Sequence, residues 1–141
     1  MPRLEIDLPA QFAFSTDIPI RISDINRGRH LGHTAVLVIM EEARVRFLNS
    51  LGYAERDTNG VGHIIADAGI IYKKQGYYGQ TLKVEIAVTD FTSRGCDLIY
   101  KISDTDSGAE IARAKTGMLF YDYQQQKTVP VPPDFKGRFA S

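Results

Sequence analysis

The sequence predicts an α+β fold, an antiparallel sheet wrapped around one long central helix. Three observations carry that expectation. A stripe of apolar residues at helical spacing runs from Val36 to Leu51, four strand-like segments follow it in succession, and turn-forming clusters separate them. At 141 residues the chain is expected to form one domain around one core, with about the first ten residues and the tail after about residue 132 peripheral.

The first strand is expected within FAFSTDIPIRIS, residues 12–23, which is rich in aromatic and β-branched side chains. Pro19 cannot donate to a ladder and points to an edge position. The loop SDINRGRHLGH, residues 23–33, then gathers an acid, an amide and two histidines before a strongly apolar segment. From Thr34 to Leu51, the residues Val36, Met40, Ala43, Phe47 and Leu51 recur every three or four positions, the buried face of a helix. Val38 and Ile39 widen that face, so the first half of the helix must be covered on most sides. Thr34 suits the N-cap, Glu42 and Arg46 form a favourable (i, i+4) pair, and Gly52 suits the stop.

Strands are expected in HIIADAGIIY, TLKVEIAVTDF, CDLIYKIS and EIARAKTGMLFYD, separated by KKQGYYGQ, TSRG and DTDSG. The exit, QQQKTVPVPPDF, carries three prolines and is expected to run extended over the surface.

Composition removes several function classes. Hydrophobic residues make up 43% and charged residues 24%, and seventeen basic side chains balance seventeen acidic ones. With no block of like charge, nothing points to nucleic acid or to a membrane surface. The longest apolar run, AVLVIM at residues 35–40, is far too short to span a bilayer, and MPRLEIDLPA lacks the layout of a secretory signal. The single cysteine, Cys96, excludes an internal disulfide and a cysteine-rich zinc site, which makes a reducing cytoplasm the expected compartment. His30 and His33 at (i, i+3), with no third ligand in view, are poor grounds for a metal site, and no cofactor is implied.

Residues 20–52, IRISDINRGRHLGHTAVLVIMEEARVRFLNSLG, resemble the opening of hotdog-fold thioesterases of the 4-hydroxybenzoyl-CoA thioesterase type. That family opens on two aspartates, a Gly-His pair and a helix carrying EEAR-x-x-FL. YKKQGYYGQTLKVEIAV resembles its tyrosine, basic pair and following strand, and AEIARAKTGMLFYD with VPVPPDF resembles its last long strand and exit. The resemblance covers about residues 16–135 and implies a hotdog fold and hydrolysis of an acyl thioester, on coenzyme A or on acyl-carrier protein. It also implies a homodimer or a tetramer built from dimers.

The departures fall on the site. The family's second aspartate, its usual catalytic carboxylate, is Asn26, and the glycine before its histidine is Arg29, while the histidine is kept as His30. Paired asparagines become Gly32 and His33, a tyrosine becomes Val36, and the later proline and Gly-Asp become Gln75 and Gly79-Gln80. In the resembled enzymes a backbone N–H at the helix start polarises the thioester carbonyl, and by position that donor belongs to His33 or Thr34. The resemblance then implies Asn26 positioning a water and His30 taking its proton, as plant acyl-carrier-protein thioesterases use a histidine at the matching position. Asp24 points the same way as Asn26 in an extended backbone and either orients His30, acts as a displaced base, or makes only local turn bonds. His33 suits a capping or surface role better than side-chain catalysis, and His63 reads as structural. Glu41 with Arg44 and Glu42 with Arg46 read as solvated pairs, or Glu41 as a buried carboxylate compensating for Asn26. Lys73, Lys74, Arg94 and Lys101 are the candidate partners for coenzyme A phosphates.

Two other readings stand beside hydrolysis. One is a hotdog domain that binds acyl thioesters or only dimerises, having lost catalysis with the carboxylate. The other is a hydratase or dehydratase of the same fold pairing His30 with Glu41, although the glycine- and proline-rich opening of those enzymes is absent.

Overall fold

The computed structural model describes residues 3–53 and 61–139, so the first two residues of MPRLEIDLPA and the end of the chain lie outside the description. Strand β1 (Phe14–Pro19) leads through a single 3-10 turn (Ile22–Asp24) and the loop into helix α1 (His33–Ser50). Strands β2 (Val61–Tyr72), β3 (Thr81–Thr89), β4 (Gly95–Asp104) and β5 (Glu110–Asp122) follow, then a short β6 (Lys127–Thr128) and helix α2 (Pro133–Phe139).

The strands make one antiparallel sheet in the order β1-β3-β4-β5-β2, with β6 added against β5. β1 and β2 are its edges, which gives Pro19 a position where its missing N–H costs little. Alternation decides which side faces α1. On β3, Leu82, Val84 and Ile86 are buried while Lys83 and Glu85 point away, and Leu98, Tyr100 and Ile102 continue the inner layer on β4. Against them α1 sets Val36, Ile39, Met40, Ala43, Phe47 and Leu48 in one contiguous core. Burial of such side chains stabilises by roughly 1.5–3 kcal/mol each. The outer face is partly covered by the chain's own start, where Leu4 packs on Gly69 and Arg113 Nη1 donates to Ile6 O at 3.1 Å.

This antiparallel sheet with a long helix on one side fits the hotdog expectation, with three differences. The helix begins two residues early, its N-cap being Gly32, without a side-chain cap, rather than Thr34. Leu37 and Val38 stay 45% and 52% exposed, so within one chain the apolar first half of α1 is not covered on most sides. The exit does not run extended to its end, and two helices, not one, accompany the sheet. Pro133 opens α2, where its missing N–H is harmless, and Phe135 is fully buried with ring contacts to Phe120 at 5.1 Å and Tyr53 at 5.5 Å. A large apolar ring seven residues after the last strand pairing and beside an open end of the core overrides the proline signal.

Candidate functional site

The SDINRGRHLGH loop is a pinned structure. Ile25 and Leu31 form an isolated antiparallel bridge, and between them Asn26 N–H donates to His30 O while Arg29 N–H donates to Asn26 O, both at 3.0 Å. Closing so tight a turn puts Arg29, where the family has glycine, in the left-handed region at φ 65°. Gly32 N–H donates to Asp24 O at 2.9 Å, and Leu31 N–H donates to Gly76 O at 2.7 Å, which ties the loop to the β2–β3 turn.

Inside this frame the side chains of Asn26 and His30 come together over Gly28. Asn26 Oδ1 accepts the Gly28 N–H at 3.0 Å, which leaves the amide Nδ2 as its free donor. His30 Nδ1 lies 3.1 Å from Leu31 O. A carbonyl oxygen only accepts, so the neutral ring carries its proton on Nδ1 and presents Nε2 as a bare lone pair. A methyl group added at Gly28 would stand 2.9 Å from His30 Nε2 and 3.4 Å from Asn26 Oδ1, so the ring's open nitrogen and the amide are separated by no more than about the span of two hydrogen bonds.

A groove of about 280 Å³ is lined by Asn26, His30, Leu31, His33, Tyr72, Lys73, Lys74 and Gln75. Its floor is the start of α1, where the backbone N–H groups of His33 and Thr34 precede the first helical bonds and have no partner among the described residues. Tyr72 Oη donates to His33 O at 2.8 Å and its ring meets the His33 imidazole edge-on, so β2 buttresses the helix start. Thr34 borders a second groove on the other side of Asn26, together with Asp24 and Gly32.

The sequence candidates thus divide. Asn26, His30, His33, Lys73 and Lys74 share one groove, and Thr34 lines the neighbouring one. Asp24 is 5% exposed and turns to Arg21, accepting from its N–H at 2.8 Å and from its guanidinium, which is the local-turn alternative rather than a contact with His30. Arg94 is elsewhere, its guanidinium donating to Thr128 O at 2.6 Å beyond β5. Glu42 pairs with Arg46 at 2.8 Å, and Glu41, 67% exposed, is not a buried carboxylate. Tyr72 was not singled out by sequence; it ends a strand beside the basic pair, but nothing local says that its hydroxyl reaches a carbonyl 39 residues away. Among the described residues no three His, Cys, Asp or Glu side chains gather as metal ligands, and no helix is long and apolar enough to cross a membrane.

Most of the chain resembles several solved structures. The PA2801 protein from Pseudomonas aeruginosa aligns with a TM-score of 0.83 at 19% identity, over 91% of this chain and 98% of that one. The SAV2348 protein from Staphylococcus aureus, solved in complex with CoA, aligns at 0.81 and 15% identity over 95% and 85%. The DHNA-CoA thioesterase from Staphylococcus aureus aligns at 0.78 and 20% identity over 87% and 85%. At these identities the likeness establishes a shared fold. No curated protein matches the sequence significantly. Residues 20–139, from the end of β1 through α2, match the thioesterase-like superfamily, and the chain belongs to that family.

Proposed function

We propose that the protein hydrolyses an acyl thioester to a free acid and a thiol, with His30 as the general base. The observation that carries this reading is the hydrogen bond from His30 Nδ1 to Leu31 O, which in the neutral ring makes Nε2 the proton acceptor, beside Asn26 and over Gly28. A water held by Asn26 Nδ2 gives its proton to His30 Nε2 as its oxygen bonds to the thioester carbon. The carbonyl oxygen, now an anion, is met by the N–H groups of His33 and Thr34 and by the positive end of the α1 dipole. Collapse of the tetrahedral intermediate breaks the C–S bond, and the imidazolium returns the proton to the leaving thiolate. Asp24 then serves to shape the loop through Arg21 rather than to move protons.

Coenzyme A is the favoured carrier. Lys73 and Lys74 border the groove at the end of β2, in reach of phosphates, and one structural relative was solved with CoA. Arg94 has no part in this reading. A second copy of the chain suits the exposed Leu37 and Val38 and the free edge of β2, consistent with a homodimer or a tetramer of dimers. The free, buried Cys96 is compatible with a reducing cytoplasm.

The test is thiol release from a panel of acyl-CoA thioesters by wild type, Asn26→Ala and His30→Ala, each with Cys96 replaced by serine. The expected result is turnover that falls roughly 100-fold or more in His30→Ala. Turnover surviving in both variants removes the scheme, and acyl-CoA binding without any turnover assigns the protein to the binding modules instead.

A further inference from the structure

Tyr72 is half exposed at the end of β2, yet its hydroxyl is committed to the backbone. It donates to His33 O at 2.8 Å, a carbonyl 39 residues away at the start of α1. Desolvation raises this phenol above its ordinary value, so it keeps its proton and remains the donor. In competition with water, a bond to so open a carbonyl adds little to stability. The side chain nevertheless lines the groove with Asn26, His30 and His33, and its ring stands edge-on to the His33 imidazole with centroids 6.4 Å apart.

The backbone behind that hydroxyl is held on two sides. Tyr72 pairs with Ala112 in the last rung between β2 and β5, and the N–H groups of Lys73 and Lys74 both donate to Ile111 O, at 2.8 and 3.1 Å. The turn that follows returns to the loop, where Leu31 N–H donates to Gly76 O at 2.7 Å. A methyl group at Gly76 would stand 3.1 Å from Ile20 and 3.3 Å from Leu31, so turn and loop are in close contact. Sheet, loop and helix start are joined by bonds within one chain, whatever covers the free edge of β2.

The carbonyl that Tyr72 meets is not an ordinary one. His33 O and the Thr34 N–H belong to the same planar peptide group. One lone pair of that oxygen serves the helix ladder, and the other takes the phenol. A proton donor on the oxygen draws electron density from the peptide nitrogen, which makes the Thr34 N–H a stronger donor in turn. Thr34 is exposed, and its N–H has no partner among the described residues.

We propose that Tyr72 is a positioning residue for thioester hydrolysis, its hydroxyl fixing the His33–Thr34 peptide and polarising the Thr34 N–H toward the thioester oxygen. This rests on the hydrolase reading above. The help is greatest where the charge on that oxygen is greatest, in the transition state, so it falls on kcat rather than on KM.

The experiment compares wild type, Tyr72→Phe and Tyr77→Phe, all carrying Cys96→Ser. Tyr72→Phe removes the hydroxyl and keeps the ring. Tyr77→Phe is the control, because the Tyr77 hydroxyl bonds Gln75 at 2.8 Å on the same turn and does not touch the helix. Thiol release from acyl-CoA thioesters gives kcat and KM, and NMR of labelled protein without substrate gives the His33 carbonyl carbon and Thr34 nitrogen shifts. In Tyr72→Phe both resonances are expected to move upfield, and kcat to fall roughly three- to tenfold with KM within about twofold. Tyr77→Phe is expected to match wild type in every reading.

Unmoved shifts in Tyr72→Phe overturn the proposal, as does an unchanged kcat or a change confined to KM. Equal effects in Tyr77→Phe overturn it too, since the cause is then the packing of the turn. No turnover by wild type on any ester removes the hydrolase reading, while the two shifts, read without substrate, still decide whether Tyr72 polarises the peptide.

Discussion

His30 Nε2 and Asn26 Oδ1 lie over the same side of Gly28, within 2.9 and 3.4 Å of where a methyl group on that glycine would sit. The absence of a side chain at residue 28 is therefore what lets the imidazole and the amide share one small space. Gly28→Ala should push the imidazole aside without removing any polar atom. Activity is expected to fall about tenfold or more with a change in melting temperature of only a few degrees, measured by thiol release and thermal denaturation on the same sample. Unchanged activity would mean that the His30 position over Gly28 does not matter for the reaction.

Asn26 can be returned to the acid that the family resemblance leads one to expect. One oxygen of an aspartate there keeps the bond from Gly28 N–H, and the other replaces Nδ2 as a second proton acceptor beside the water. Asn26→Asp placed in the His30→Ala background should recover roughly tenfold or more of the lost kcat/KM. No recovery would place the water somewhere other than between these two residues.

His63 makes stability depend on pH. Its imidazole is held down to about 4 by burial and then by Arg44, whereas in the unfolded chain it titrates near its ordinary 6.5. Below pH 6.5 the unfolded chain therefore takes up a proton that the folded protein refuses until about pH 4. This contribution is fully present above 6.5 and is lost as pH falls through that window, about 3 kcal/mol in all. Urea midpoints between pH 7 and 4 should drop less in His63→Gln than in wild type; parallel curves would remove His63 as the cause.

Phe135 tests the packing of the carboxyl-terminal helix. Its ring is fully buried among Phe91, Phe120, Tyr53 and Phe139, so Phe135→Ala leaves a cavity as well as losing apolar contact. A loss of about 3–5 kcal/mol in chemical denaturation is expected. A loss below about 1 kcal/mol would show that α2 can leave the sheet at little cost.

Much of the architecture is legible in one dimension because the signals that form it are local. The three-and-four spacing of Val36, Met40, Ala43 and Phe47 makes a helix wherever it is placed, and alternation around Leu82, Val84 and Ile86 makes a strand with one inward face. The loop between them could be singled out as the site because Asp24, Asn26, His30 and His33 crowd into eleven residues and resemble a known opening. Phe135 was misjudged for a related reason: three nearby prolines signal extended chain locally, while the burial that wins is against Phe120 and Tyr53, far off in sequence.

What the sequence by itself determined, then, is the succession of elements and the segment that carries the polar side chains. Only the tertiary structure decided what those side chains do: that His30 faces Leu31 O with Nδ1, that Asp24 turns to Arg21, that Tyr72 braces the helix start, and that Arg44 Nε and His63 Nε2 are buried without a partner. The physical reason is one of range. Periodicity is a property of neighbours along the chain, whereas hydrogen-bond partners and desolvation are fixed by which elements cross and in what register, and neither can be read from spacing alone.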